Sequence, residues 1–409
     1  MKVRKILTTV TALLMTATLT GCSGFTSNAG GKNDAVILKV WAAVEEQAPD
    51  QGRWLQTMCN NFNELHPELN VIFKYGICSE GEIGSIISEN PTDTADVYVF
   101  ANDQLGLLLE ANSILKLEDE VAEEVKNNNE QVVVDSVSVT GDIYGIPITT
   151  NTWFMYYNKE IFNEQDITSL DKVLEKAKVA FPMSTAWYNG SFFIGNGGTM
   201  FGDGTKANEG IDFGGEKGLE IMSYLVDLVN NKNFINDIDG GGIYNFNLEK
   251  IGAYFSGSWD YESVKTALGD KLGVAQLPTF NVNGKDVQLK SFAGSKAVGV
   301  NPNCENLDVA LEFARYLGGA ESQKAHYELR SVIPCSIELL KDPEIAGNEL
   351  IKAQNDTIKN TSIVQPTLSQ MSTYFQASEA FGNKLVNGEI THENAEMQLE
   401  NYIKELNNY

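Results

Sequence analysis

Apolar positions along this chain switch between two spacings, and the switches mark its elements. Val36-Ile37-Leu38-Lys39-Val40-Trp41 is a short strand-like run. Trp54, Met58, Phe62 and Leu65 then recur at i, i+4, i+8 and i+11, the stripe of an amphipathic helix that Pro67 stops. Val71-Ile72-Phe73 predicts a second strand, Gly81 to Ile87 a short helix, and Asp96-Val97-Tyr98-Val99-Phe100 a third strand. A β-α-β-α-β order predicts a parallel sheet with helices on both faces, and ligands of such sheets sit beyond the carboxyl ends of the strands. Trp41 and Phe100 close two of these strands, with Glu45, Glu46 and Asp103 just past them.

A second α/β region begins near Thr150. Trp153 to Tyr157, Ala253 to Ser256 and Gly273 to Leu277 read as strands. Leu170, Val173, Leu174 and Ala177 mark a helix, and Leu219, Met222, Leu225, Val226 and Val229 mark another. Further helices follow at Leu307 to Leu317 and around Leu399, Tyr402, Ile403 and Leu406. No internal repeat or heptad run interrupts the pattern. Periodicity therefore predicts two α/β lobes, but not how often the chain passes between them.

The N-terminus changes the picture. Met1-Lys2-Val3-Arg4-Lys5 is basic, Ile6 to Thr18 is apolar to small, and Leu19-Thr20-Gly21-Cys22 follows. That order is a secretory signal peptide over residues 1–21. Leu-Thr-Gly-Cys resembles the lipobox of bacterial lipoproteins, which would make Cys22 the acylated first residue of the mature chain. Residues 22–35, rich in Gly, Ser and Asn, read as the lipidated cysteine and its flexible tether. Lipid would then hold the protein on the outer face of the cell membrane without spanning it.

Composition removes other classes. The 409 residues are 43% hydrophobic and carry a net charge of −25, which an extended nucleic acid or an anionic bilayer surface would repel. Three histidines give little material for a His-rich metal site, so neither metal nor cofactor is expected. Cys59, Cys78, Cys304 and Cys335 form no CxxC pair; one or two disulfides and buried free thiols both remain open. Phosphate-loop, nucleophile-elbow and zinc-protease motifs are missing. Asp237-Ile238-Asp239-Gly240 echoes a calcium loop but has Leu248 where a bidentate glutamate belongs. A negative catalytic search points toward a binder.

The positive signal is aromatic. Phe100, Trp153, Trp187, Tyr188, Trp259, Tyr374 and Phe375 lie near strand ends or turns. A sugar ring offers a C–H-rich face to an aromatic plane and hydroxyls to carboxylates and amides. Trp187-Tyr188-Asn189-Gly190 and Gly257-Ser258-Trp259-Asp260 are the best candidates, because their small polar neighbours suggest loops rather than core.

At this point the chain resembles the solute-binding proteins of ABC sugar importers, of the maltose/maltooligosaccharide type, from about Leu38 to Asn387. The resemblance rests on Asp96 to Phe100 with Asp103, Ile146-Pro147, Tyr157-Asn158-Lys159, Leu225 to Lys232, Gly257-Ser258-Trp259, Leu277-Pro278-Thr279-Phe280 and Gln370-Met371-Ser372. It implies an α/β, two-lobed periplasmic-binding-protein-like fold (type II), with the ligand cleft between lobes and a multi-strand hinge. The lobes would be 36–149 plus 295–338 and 150–292 plus 342–409. By position, Phe100, Trp187, Trp259 and Phe375 match stacking aromatics, Tyr188 an aromatic neighbour, and Asp103 a carboxylate that bonds sugar hydroxyls.

Departures are just as informative. The family's Asp-Lys pair falls near Glu45-Glu46, which removes a cation, and an arginine is replaced by Gln104. Two glutamates fall near Asn151 and Thr185. The expectation is a monomeric, lipid-anchored, non-enzymatic subunit that closes on an oligosaccharide and delivers it to a permease. A surface-anchored carbohydrate-active enzyme and a transport-independent adhesive lipoprotein are the rivals.

Overall fold

The computed structural model describes residues 35–90, 94–238 and 240–409. The signal peptide, Cys22 and nearly all of the tether lie outside these residues, as does Asp239 of the calcium-like loop. Among the described residues the strands that matter for the site are β1 (Val36–Ala42), β2 (Val71–Ile77), β3 (Val97–Ala101), β4 (Ile146–Asn151), β5 (Trp153–Asn158), β6 (Val179–Phe181), β7 (Phe234–Asn236), β8 (Ala253–Gly257), β9 (Leu272–Ala275), β10 (Ser291–Val300) and β11 (Ser362–Val364).

In the first lobe β1 runs parallel to both β2 and β3, as the β-α-β-α-β order predicts. β10 completes this six-stranded sheet, running antiparallel to β3 and β4 and parallel to β11. Leu38, Val40, Val97, Val99 and Val298 form its core with Phe62 and Phe313, which come from helices Trp54–Leu65 and Leu307–Gly318. The second sheet has the order β7-β6-β8-β5-β9. Both of its faces are covered. Along β5, Trp153, Met155 and Tyr157 point into one core, while Phe154 and Tyr156 point into another beside Ile333 and Leu350. This two-sided burial explains why Trp153 to Tyr157 is an unbroken apolar run instead of an alternating one.

The sheets join through the backbone itself. β4 belongs to the first sheet and β5 to the second, with only Thr152 between them. The buried Thr152 Oγ1 donates to the Phe292 carbonyl at 2.7 Å and lies 2.9 Å from Ser291 Oγ, at the start of β10. β10 passes from Phe292 in the second lobe's core to Val298 and Val300 in the first. Among the described residues the four cysteines carry free thiols, and burial pushes those of Cys59 and Cys335 up to about 12.

Candidate functional site

Turns at the carboxyl ends of β1 and β3, and the loop that follows β2, meet the second lobe across a cleft. Two adjoining cavities fill it, of about 320 and 290 Å³, and they share Asn151, Trp259 and Lys296. Together they fall in the size range that encloses a ligand of several rings.

The second-lobe wall is aromatic. Trp259 sits in a turn directly after β8 and is 49% exposed, high for so large an apolar surface. Two contacts hold that turn: Asp260 Oδ2 accepts from Tyr254 Oη at 2.8 Å and from Ser256 Oγ at 2.6 Å. The Trp259 ring lies across Gly257, where an added Cβ would come 1.9 Å from a ring carbon, so the glycine is required for the ring's position. Trp187, on the short helix Ala186–Asn189, stands 5.8 Å from Trp259 between ring centroids, and its indole N–H donates to Gln365 Oε1 at 3.1 Å. Phe375, in the first turns of helix Met371–Val386, completes the wall.

The first-lobe wall is charged. Asp103 follows β3 and lines the smaller cavity. Burial raises its carboxyl above the usual value, while the hydrogen bond that Gln104 Nε2 donates to Oδ1 at 3.2 Å pulls it partly back. Glu46, 4% exposed, lines the larger cavity and is gripped by His326 Nε2 at 2.7 Å and by Arg330. Burial alone would raise its carboxyl, but the charges and hydrogen bonds of His326 and Arg330 outweigh this and hold it at about 2. His326 is itself stacked on Trp54, with centroids 4.1 Å apart.

Five expected residues therefore converge on one cavity system: Asp103, Asn151, Trp187, Trp259 and Phe375. Glu46 joins them, but as an already paired carboxylate. Glu45 is exposed on a separate depression, beside Val44 and Ile77. Two expectations are corrected. Phe100 is 0% exposed, packed edge-on against Tyr98 inside the first core, and offers no face to the cleft. Tyr188 is buried behind Trp187, its ring perpendicular to the indole and tilted against Trp153. It supports the platform from behind.

Cations absent from the Glu45-Glu46 turn itself reach the cleft from other elements, where Arg330 meets Glu46 and Lys296 meets Glu80. Neither cation is announced by the sequence near its partner carboxylate. Lys296 is the single charged residue of Ser291–Val300, and Arg330 ends a helix one turn after His326.

Two mixed α/β lobes joined by crossing strands, with an aromatic wall facing a polar one, define a ligand-binding protein of the type II periplasmic class. The profile of bacterial extracellular solute-binding proteins matches residues 57–353, and this chain belongs to that family. Among its relatives, the galactooligosaccharide-binding protein of Bacillus subtilis (strain 168) is 25% identical over 291 residues, 66% of this chain and 68% of that protein. The maltooligosaccharide ABC transporter solute-binding lipoprotein of Streptococcus pneumoniae (strain ATCC BAA-255 / R6) is 27% identical over 286 residues, 66% of each. The chain thus matches about two-thirds of the length of these curated relatives. A solved structure described as "with acarbose" is 43% identical, covers 91% of this chain and 98% of that one, and has a TM-score of 0.88. The maltodextrin-binding protein MalE1 of L. casei BL23, solved without ligand, shares the fold at TM-score 0.83 and 24% identity, covering 92% of this chain and all of that one.

Proposed function

We propose that this protein captures an oligosaccharide, best a maltooligosaccharide, by closing its two lobes on it, and delivers it unchanged to the permease of an ABC importer. The observation that carries the reading is the pairing of Trp187, Trp259 and Phe375 with Asp103 and Asn151 across one cleft. Aromatic planes cover the apolar faces of sugar rings, and the carboxylate and amide take up their hydroxyls. The hinge would bend at three crossings: between Asn151 and Trp153, at the start of β10, and within 331–341. A ligand touching both walls has most contacts in the closed form and shifts the population toward it. Secretion with lipid attachment at Cys22 would place the monomer at the outer membrane face, beside its permease. Named maltooligosaccharide and galactooligosaccharide binders among the relatives support the ligand class.

Isothermal titration of maltotriose into the purified protein tests this. One-to-one saturable heat with the sugar recovered intact is expected. Silence with maltotriose but heat with a galactooligosaccharide would move the assignment to another oligosaccharide. Cleaved products would overturn the non-enzymatic reading.

A further inference from the structure

We infer that Lys296, held by Glu80, joins the two compartments of the cleft into one ligand site and sets the length of neutral chain that the site prefers. This rests on the oligosaccharide reading above. Every side chain of β10 is buried except that of Lys296, whose side chain is 30% exposed. Its backbone pairs with Ala101 on one side and Thr149 on the other, and there the register with β4 slips: Ala297 pairs with Pro147, leaving Ile148 as the extra residue. Such a bulge bends β4, the strand that carries it, and loosens the pairing beside Lys296. Lys296, the one partly exposed side chain of β10, lines both cavities.

Glu80 fixes the lysine's position. Its side chain is 9% exposed, and its Oε1 lies 3.3 Å from Lys296 Nζ. Its carbonyl accepts the Ala101 N–H at 3.0 Å, which ties it to the end of β3. An ammonium has three donors, so one directed at Glu80 leaves two for a ligand. A chain running from Phe375 past Trp259 toward Arg330 passes Lys296 midway, and only a chain long enough to occupy both compartments meets the lysine from both sides. A paired charge also suits a neutral ligand better than an anionic one, since an anion would compete with the Glu80 carboxylate for the same donors.

The test is calorimetric titration of maltose, maltotriose and maltotetraose into wild type, Lys296→Met, Lys296→Arg and Glu80→Gln, with thermal unfolding as a check on folding. In wild type affinity should climb with chain length. In Lys296→Met the loss should be small for maltose and about tenfold or more for maltotetraose, the scale of one charged hydrogen bond. Lys296→Arg should recover part of the climb, and Glu80→Gln should flatten it without unfolding the protein. Equal losses at every length, or none, would overturn the inference, and if Lys296→Met fails to fold, an unflattened climb in Glu80→Gln would do the same. A wild-type protein that binds none of the three sugars refutes the maltooligosaccharide reading itself, and this inference with it, without reference to any variant.

Discussion

The two walls of the cleft are built on opposite plans. The first lobe presents charge that is largely paired before any ligand arrives, Glu46 with His326 and Arg330 and Glu80 with Lys296, while Asp103 accepts a hydrogen bond from Gln104. The second lobe presents aromatic rings with open faces, Trp259 foremost. Paired charges are rigid and directional, so they suit reading hydroxyl positions. Exposed rings gain by being covered, so they suit driving closure. Changes to core residues and to the Glu46 cluster should therefore act on stability, and changes to the exposed rings and to the Glu80–Lys296 pair on affinity.

The largest effect should come from the ring that does not reach the cleft. Phe100→Ala empties a fully buried site and should cost about 3–5 kcal/mol of stability, read by denaturant unfolding. Glu46→Gln should cost about 3 kcal/mol by leaving Arg330 and His326 without their carboxylate. It should also flatten the acid limb of stability. The folded Glu46 carboxyl titrates near 2 and the unfolded one near 4.5, so on acidification the unfolded chain takes up the proton first. The carboxylate's contribution is whole above pH 4.5 and fades between 4.5 and 2. Stability measured at steps across that window should slope steeply in wild type and weakly in the variant.

Next, Trp259→Ala should leave stability near wild type and cost about 2 kcal/mol of sugar affinity, roughly thirtyfold by titration calorimetry. Gly257→Ala sharpens the point without touching the ring. Its Cβ would push the indole off its seat, and affinity should fall by about tenfold, or 1.4 kcal/mol. Phe375→Ala should produce the smallest change, about 1 kcal/mol in affinity, from the loss of one partly exposed ring face.

Much of this contrast was legible in the sequence. The parallel order of β1, β2 and β3 followed from periodicity, and Trp259 stood out because its small polar neighbours suggest a turn rather than core. Strand β10 was not legible. Ala293, Gly294, Ser295, Ala297 and Gly299 are small residues of weak strand preference, and burial on both faces erases any alternation. Phe100 was misplaced for a related reason. A strand's carboxyl end gives the edge of the sheet where ligands sit, but not the face on which a given side chain lands. Tyr188 lies one residue from Trp187 on a single helical turn, and that rotation is enough to put one ring in the cleft and the other behind it. The cations of the charged wall come from β10 and from the helix Ala320–Arg330, far along the chain, so no local pattern around Glu46 or Glu80 could announce them.

The division of labour between the walls is tested most directly by tryptophan fluorescence during a maltotetraose titration. Trp187 and Trp259 line the cleft, whereas Trp54 and Trp153 are fully buried. The account predicts a saturable change whose midpoint equals the calorimetric one, and which mostly disappears in Trp259→Phe. Calorimetric binding with unaltered tryptophan emission, or an undiminished change in that variant, would place the sugar away from the aromatic wall and contradict the account.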